Sequence, residues 1–248
     1  MKKVFISGSI SIKKLNFEII ESLENIISKN YKVLIGDAPG TDTLIQDFFS
    51  KSNYDNVEVY SIFSSARYIV NKNFLSKYIN VSSEIKNERE RQTYKDEAMS
   101  NDSDFSFIIW DGKSKGSFAN ILRAINSNKF AKVYYIFEER FLEQTKINKN
   151  EIEFIYRIHN GYTASEVVEY LQNQGIEKFK KTQDLNKYLL EKNVIKKEDK
   201  IYLPTEKYSN LLITEMYKGK PSGIKFNNDF ISWIEKEILS KPVQGELF

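Results

Sequence analysis

The chain has 248 residues, 41% hydrophobic and 14% aromatic, enough to bury one large core or two small ones. It has no cysteine and one histidine, His159, which excludes disulfides, thiolate chemistry, a Cys/His zinc site and most histidine-based acid–base schemes. The net charge of +3 is too small to argue for nucleic acid by itself, no apolar run approaches the ~18 residues of a membrane span, and residues 1–6 lead into a strand instead of a signal peptide, so a cytoplasmic protein is expected.

Periodicity divides the chain near residue 150. Residues 3–7 read as a buried strand and residues 15–28 as a helix, with Leu15, Ile19, Ile20, Leu23, Ile26 and Ile27 at helical spacing. A short strand at 32–35, a helix at 41–49 and a third strand at 57–62 follow. Residues 64–84 lack a clean period, are rich in Asn, Ser and Tyr, and read as a loop-rich insertion. Then come a helix at 85–101, a buried strand at 105–110, a helix at 118–127 and a last strand at 132–137. This alternation predicts an α/β domain over residues 1–148, a Rossmann-like parallel sheet with helices on both faces.

Residues 149–248 read as a small, mainly helical C-terminal domain with the outline of a winged helix. Its helices are marked by Val167, Val168 and Leu171, by Leu185, Leu189 and Leu190, and by Phe230, Ile231 and Ile234. Val194-Ile195 and residues 200–205 suggest a hairpin or wing, Thr163 and Glu166 a capping arrangement, and residues 241–248 a flexible tail.

Three strand-to-helix turns carry the functional signal: Ser7-Gly8-Ser9, Gly36-Asp37-Ala38-Pro39-Gly40-Thr41-Asp42, and Asp111-Gly112-Lys113-Ser114-Lys115-Gly116-Ser117. Such turns aim unpaired N–H groups and the positive end of a helix dipole at one rim of a sheet, outside the carboxyl ends of the strands, where a phosphate can sit. Each glycine alone satisfies a tight turn; Gly36, Gly40, Gly112 and Gly116 on one rim exceed what turns demand. In the pocket so formed, backbone amides of 36–42 and 112–117 hold phosphate, and Lys113 and Lys115 supply charge. Ser114 and Ser117 donate to phosphate or cap the next helix, while Asp42 and Asn120 orient sugar or base. Lys95 and Asp96 fall on a helix whose C-terminal end should reach the rim, Arg67 reads as a lid residue, and Glu88-Arg89-Glu90-Arg91 as a solvated face. Magnesium would accompany a phosphate ligand without a dedicated protein cage; no other cofactor is indicated.

These turns, with Lys95-Asp96-Glu97-Ala98-Met99, Asp104 and the run from Trp110 to Asn120, resemble in order and spacing the SLOG superfamily, nearest its YspA/YpsA-related branch, over residues 1–140. The resemblance implies a Rossmann-like domain that binds a nucleotide or nucleotide-derived small molecule as a sensor or regulatory protein. Relatives of the LOG type cleave the N-glycosidic bond of nucleoside monophosphates, but their second turn ends in a catalytic glutamate. This chain has Asn120 at the comparable place, and an amide cannot serve as a carboxylate base. A hydrolase of glycosidic or phosphoester bonds remains the alternative, with Asp37, Asp42 or Asp96 as general base. A third reading is a nucleic-acid-binding regulator acting through the C-terminal domain, where Lys178, Lys180, Lys181, Lys196, Lys197 and Lys200 lie near aromatics. Residues 151–248 have as many acidic as basic residues, which weighs toward a protein partner or a homo-oligomer. No membrane partner is expected.

Overall fold

In the computed structural model, which describes residues 1–142 and 147–239, the first strand, β1 (Lys3–Gly8), is buried on both faces, as its unbroken apolar run requires. It lies at the centre of a seven-stranded sheet with β2 (Lys32–Ile35), β3 (Val57–Ser61), β4 (Leu75–Tyr78), β5 (Phe105–Trp110), β6 (Phe130–Tyr135) and β7 (Arg140–Phe141). The order is β4-β3-β2-β1-β5-β6-β7, parallel from β4 to β6, with β7 antiparallel to β6. This is the expected α/β architecture.

Helices cover both faces. α1 (Phe17–Ser28) and α2 (Thr41–Lys51) bury Ile19, Leu23, Ile45 and Phe49 against Val4, Ile6, Val33, Ile35 and Val59. On the other face, α3 (Glu88–Asp102) packs Met99 against Phe5, Leu34 and Tyr60, and α4 (Lys115–Asn126) lies over β5 and β6 beside α3. Each fully buried Ile or Leu contributes about 2 kcal/mol, so these stripes are what hold the helices down. The chain lays β2, β3 and β4 to one side of β1, then crosses back to lay β5 and β6 on the other. That reversal opens a crevice beyond the carboxyl ends of β1 and β5.

Two local departures bear on the site. The segment 64–84 holds β4, an edge strand paired only with β3, whose Leu75 and Tyr78 are exposed; with no buried face it has no period to read. α3 begins at Glu88, capped by the Asn87 side chain, which accepts from the amides of Arg89 and Glu90. Its C-terminal end points away from the rim: Asp104, just beyond it, accepts from the Lys3 amide at the opposite edge of the sheet. Lys95 and Asp96 therefore sit in the middle of the helix, not near its end.

The chain divides into two compact units between Ile152 and Glu153, within α5 (Lys149–Asn160). The second holds α6 (Ala164–Asn173), α7 (Thr182–Glu191), the hairpin β8 (Ile195–Glu198)–β9 (Ile201–Pro204), the hairpin β10 (Leu212–Tyr217)–β11 (Lys220–Phe226) and α8 (Asn228–Leu239). Its core joins Val167, Leu171, Leu185, Leu189, Phe226 and Phe230. Thr163 and Glu166 form a reciprocal capping box at the start of α6, and β8–β9 takes the place of the expected wing. The β10–β11 hairpin was not expected, since its exposed residues Met216 and Tyr217 and its lysines disguise the alternation. The tail at 241–248 lies outside the described residues. Among the described residues no helix is long and apolar enough to cross a membrane.

Candidate functional site

The carboxyl rim is built from polar residues that the fold buries. Ser7, Ser9, Asp37, Thr41, Asp42, Gln46, Ser61, Lys95, Ser117 and Asn120 are all buried there, which a purely structural rim would avoid.

The three turns are stitched together. Thr41, the first residue of α2, donates its hydroxyl to the Ser9 carbonyl at 3.0 Å, while Ser9 Oγ accepts from the Asp111 amide at 3.2 Å. Gly8 leaves no space for a side chain, since a Cβ would press on Thr41 and the Ile109 carbonyl. Gly40 caps α2 at φ 81°, and a Cβ there would run into the backbone of Ile10.

Behind the second turn lies an ionic cluster. Arg67 donates to Asp37 through Nε, Nη2 and its own amide, at 3.3, 3.0 and 3.1 Å, and Ser61 Oγ donates at 2.8 Å. Lys95 Nζ, on α3, reaches Asp37 Oδ1 at 3.5 Å. Burial pushes the Asp37 carboxyl up, but Arg67, Lys95 and Ser61 together bring it down to about 2. Asp42 Oδ2 accepts from the Ala38 amide at 3.1 Å and faces inward; burial raises its carboxyl to about 6 against the pull of Lys95 and Ala38, with Asp96 and Asp37 adding repulsion. Arg67, expected as a lid, is a clamp on Asp37 and Glu88. Gln46, which the sequence reading passed over, is wholly buried and donates to the Gly36 carbonyl at 2.9 Å and the Tyr68 carbonyl at 3.3 Å.

The third turn is organised by Asp111. Its Oδ1 accepts from the amides of Lys113 and Ser114 at 2.9 and 2.8 Å, and Oδ2 accepts from Ser11 Oγ at 2.6 Å. Burial raises the Asp111 carboxyl, and these donors outweigh it, leaving the group below the usual carboxylate range. Ser114 caps α4, its Oγ accepting from the Ser117 amide at 3.4 Å. The phosphate-cradling amides expected over 112–117 are thus partly committed within the loop. What remains for a ligand is the first turn of α4, where the Lys115 and Gly116 amides have no acceptor within the helix and the space beside Gly116 is open. Gly112 is buried at φ 76°, and Lys113 and Lys115 are exposed.

α3 and α4 lie side by side on one face of the sheet. Asp96 borders Asn120 and Arg123 of α4; burial raises its carboxyl, against the pull of Lys95, Arg123 and Asn120. Asn120 Oδ1 in turn accepts from Arg123 Nη1. Gln92 lies one turn before Asp96 on the same row of α3. Both polar atoms of the Gln92 amide, Arg91 Nε and Ser7 Oγ on the β1 floor are buried without a hydrogen-bond partner among the described residues. Ser7 was an expected site residue; Arg91 and Gln92 were not, because Arg91 ends a charged run that reads as a solvated face. Among the described residues no group of three or more acidic or histidine side chains is placed to hold a metal ion, so magnesium would have to come with its phosphate.

No family model matches this sequence, and no curated protein does. The chain is similar to DNA processing protein A from Helicobacter pylori, in a structure describing that protein's single-stranded DNA binding mode. The two share 17% identity over 77% of this chain and 81% of that one, at a TM-score of 0.40, a likeness too low to carry a function from one to the other.

Proposed function

We propose that the crevice between α3 and α4 binds a phosphate-bearing, nucleotide-derived ligand, and that the first unit acts as its sensor. The observation that carries this reading is the set of unpartnered buried groups, Ser7 Oγ at the carboxyl end of β1 and Arg91 Nε and the Gln92 amide near the start of α3. Native proteins leave few such groups, and each costs about 1–3 kcal/mol. A ligand that both donates and accepts removes that cost. The Gln92 amide suits the edge of a base or a sugar hydroxyl, while Arg91 and the open start of α4 suit a phosphate. Kinship with the SLOG superfamily belongs to the same proposal, supported by the order of the three turns along one rim.

The test is to incubate the protein with nucleoside monophosphates, cyclic nucleotides, NAD and ADP-ribose, following thermal stability and chromatographic product together. Stabilisation without product, lost in Gln92→Leu and Lys115→Ala, supports the sensor. No stabilisation by any of them overturns it.

Asp96 favours a second reading. It is half-buried in the crevice with a raised carboxyl, the setting of a general acid–base group for glycosidic or phosphoester hydrolysis. Product that appears with the native chain and vanishes in Asp96→Asn, with binding retained, would make the crevice an active site.

A further inference from the structure

A second cavity lies at the opposite edge of the same sheet, away from all three turns. It measures about 370 Å³, within the range of small-molecule sites, and sits between the C-terminal half of α1 and the beginnings of β5 and β6. Its walls combine two chemistries. Lys2, Lys29 and Lys132 bring ammonium groups, and Tyr31, Phe105, Phe107 and Phe130 bring aromatic rings. The parallel register of β5 and β6 sets Phe105 beside Phe130 and Phe107 beside Lys132, so rings and charge alternate along the floor.

Phe107 is a core residue, and Tyr31 and Phe105 pack against that core with part of their surface still exposed. Phe130, at the start of β6, is 52% exposed. Tyr31 and Phe105 meet edge to face at 5.2 Å and are both only partly buried. Among the described residues none of the three lysines is in an ion pair. Lys132 donates to Ser22 Oγ at 2.8 Å and stands 4.0 Å from the Phe141 ring centroid. Burial holds its ammonium below the usual lysine range, Glu21 opposes that and Lys29 adds to it; an arriving anion would relieve the strain.

We infer that this edge cavity is a second binding site, for an aromatic phosphate monoester whose ring stacks on Phe105 and Phe130 and whose phosphate is held by Lys29, Lys132 and Lys2. A nucleoside monophosphate has this chemistry, whether free or as the 5′-phosphorylated end of a single strand. Stacking and point-charge neutralisation are the sequence-tolerant way to hold such a unit. The site is independent of the rim.

The test uses the full chain carrying Gln92→Leu and Lys115→Ala, so that the rim is disabled, titrated calorimetrically with AMP, ribose 5-phosphate and adenosine. AMP is expected to bind about tenfold more tightly than either fragment, since one lacks the ring and the other the phosphate. Lys29→Glu and Phe130→Ala, both at exposed positions and both checked for an unchanged melting temperature, are each expected to weaken AMP by about tenfold. AMP binding indifferent to both substitutions overturns the site, as does ribose 5-phosphate binding equal to AMP, or no AMP binding at all. A 5′-phosphorylated dinucleotide bound as tightly as AMP assigns the cavity to strand ends, and its exclusion assigns it to free nucleotides. Failure of the rim reading shows separately, as rim substitutions that leave every ligand response of the native chain intact.

Discussion

Lys95 Nζ stands 3.5 Å from Asp37 Oδ1, and the two side chains are 4% and 0% exposed. A lysine from the middle of α3 thereby neutralises the turn after β2, and it is also the cation that steadies Asp42 and Asp96. Removing one partner of a buried pair strands the other. Lys95→Met should therefore destabilise the fold by about 3 kcal/mol, the lower end of the usual range because Arg67 still holds Asp37. Urea unfolding measures this, and a loss below about 1 kcal/mol would mean that the cluster relaxes around the missing charge.

The two carboxyls of this cluster move in opposite directions with pH. Asp42 has its folded pKa raised to about 6 from 3.8, so its proton is held more tightly in the folded state. The stability it lends is complete below pH ~4 and is lost as pH rises through about 6, a change of roughly 3 kcal/mol. Asp37, lowered to about 2, lends stability above pH ~4 that is lost only as the pH falls toward 2. Between pH 4.5 and 7, then, the native chain should weaken as pH rises, with Asp96 adding to the slope in the same sense. Asp42→Asn should flatten that slope. An Asp42→Asn slope identical to the native one would place the titration elsewhere.

The turns were legible in the sequence because their chemistry is local. Gly40 at positive φ, Asp111 folding its carboxylate onto two amides of its own loop, and Ser114 capping α4 each depend on neighbours within a few residues. The buried strands were legible because both faces are covered and the residues are apolar throughout. Gln46, Arg91 and Gln92 were not. A polar residue on a helix reads as solvent-facing unless one knows what packs over it, and only the crossing from β4 over to β5 lays α3 across the crevice. The same blindness aimed the C-terminal end of α3 at the rim, when that end lies at the opposite edge of the sheet.

Gln92 separates binding from stability. Its amide is buried with neither atom paired, so an apolar replacement of similar shape removes an unsatisfied group. Gln92→Leu should leave the melting temperature unchanged or raise it, equivalent to about 1 kcal/mol, while abolishing the ligand-induced shift. Ser7→Ala on the floor of the crevice should behave in the same way. A substantial loss of stability in both variants would assign these side chains to the core and take away the observation on which the ligand site rests.

Gly116 offers the sharpest division between fold and function. It lies in the first turn of α4, exposed, with no atom within 4 Å of where a Cβ would stand, and its φ is not positive. On the folded chain alone, Gly116→Ala should therefore stabilise by about 0.5–1 kcal/mol, through the lower backbone entropy of the unfolded state and better helix propensity. A phosphate lying against the Lys115 and Gly116 amides would meet the new methyl group at the point of closest approach. The prediction is a higher melting temperature without ligand together with a weaker response to the ligand that stabilises the native chain. If Gly116→Ala raises the melting temperature and leaves that response intact, the anion does not sit on the start of α4, and Arg91 becomes the group to test next for charge recognition.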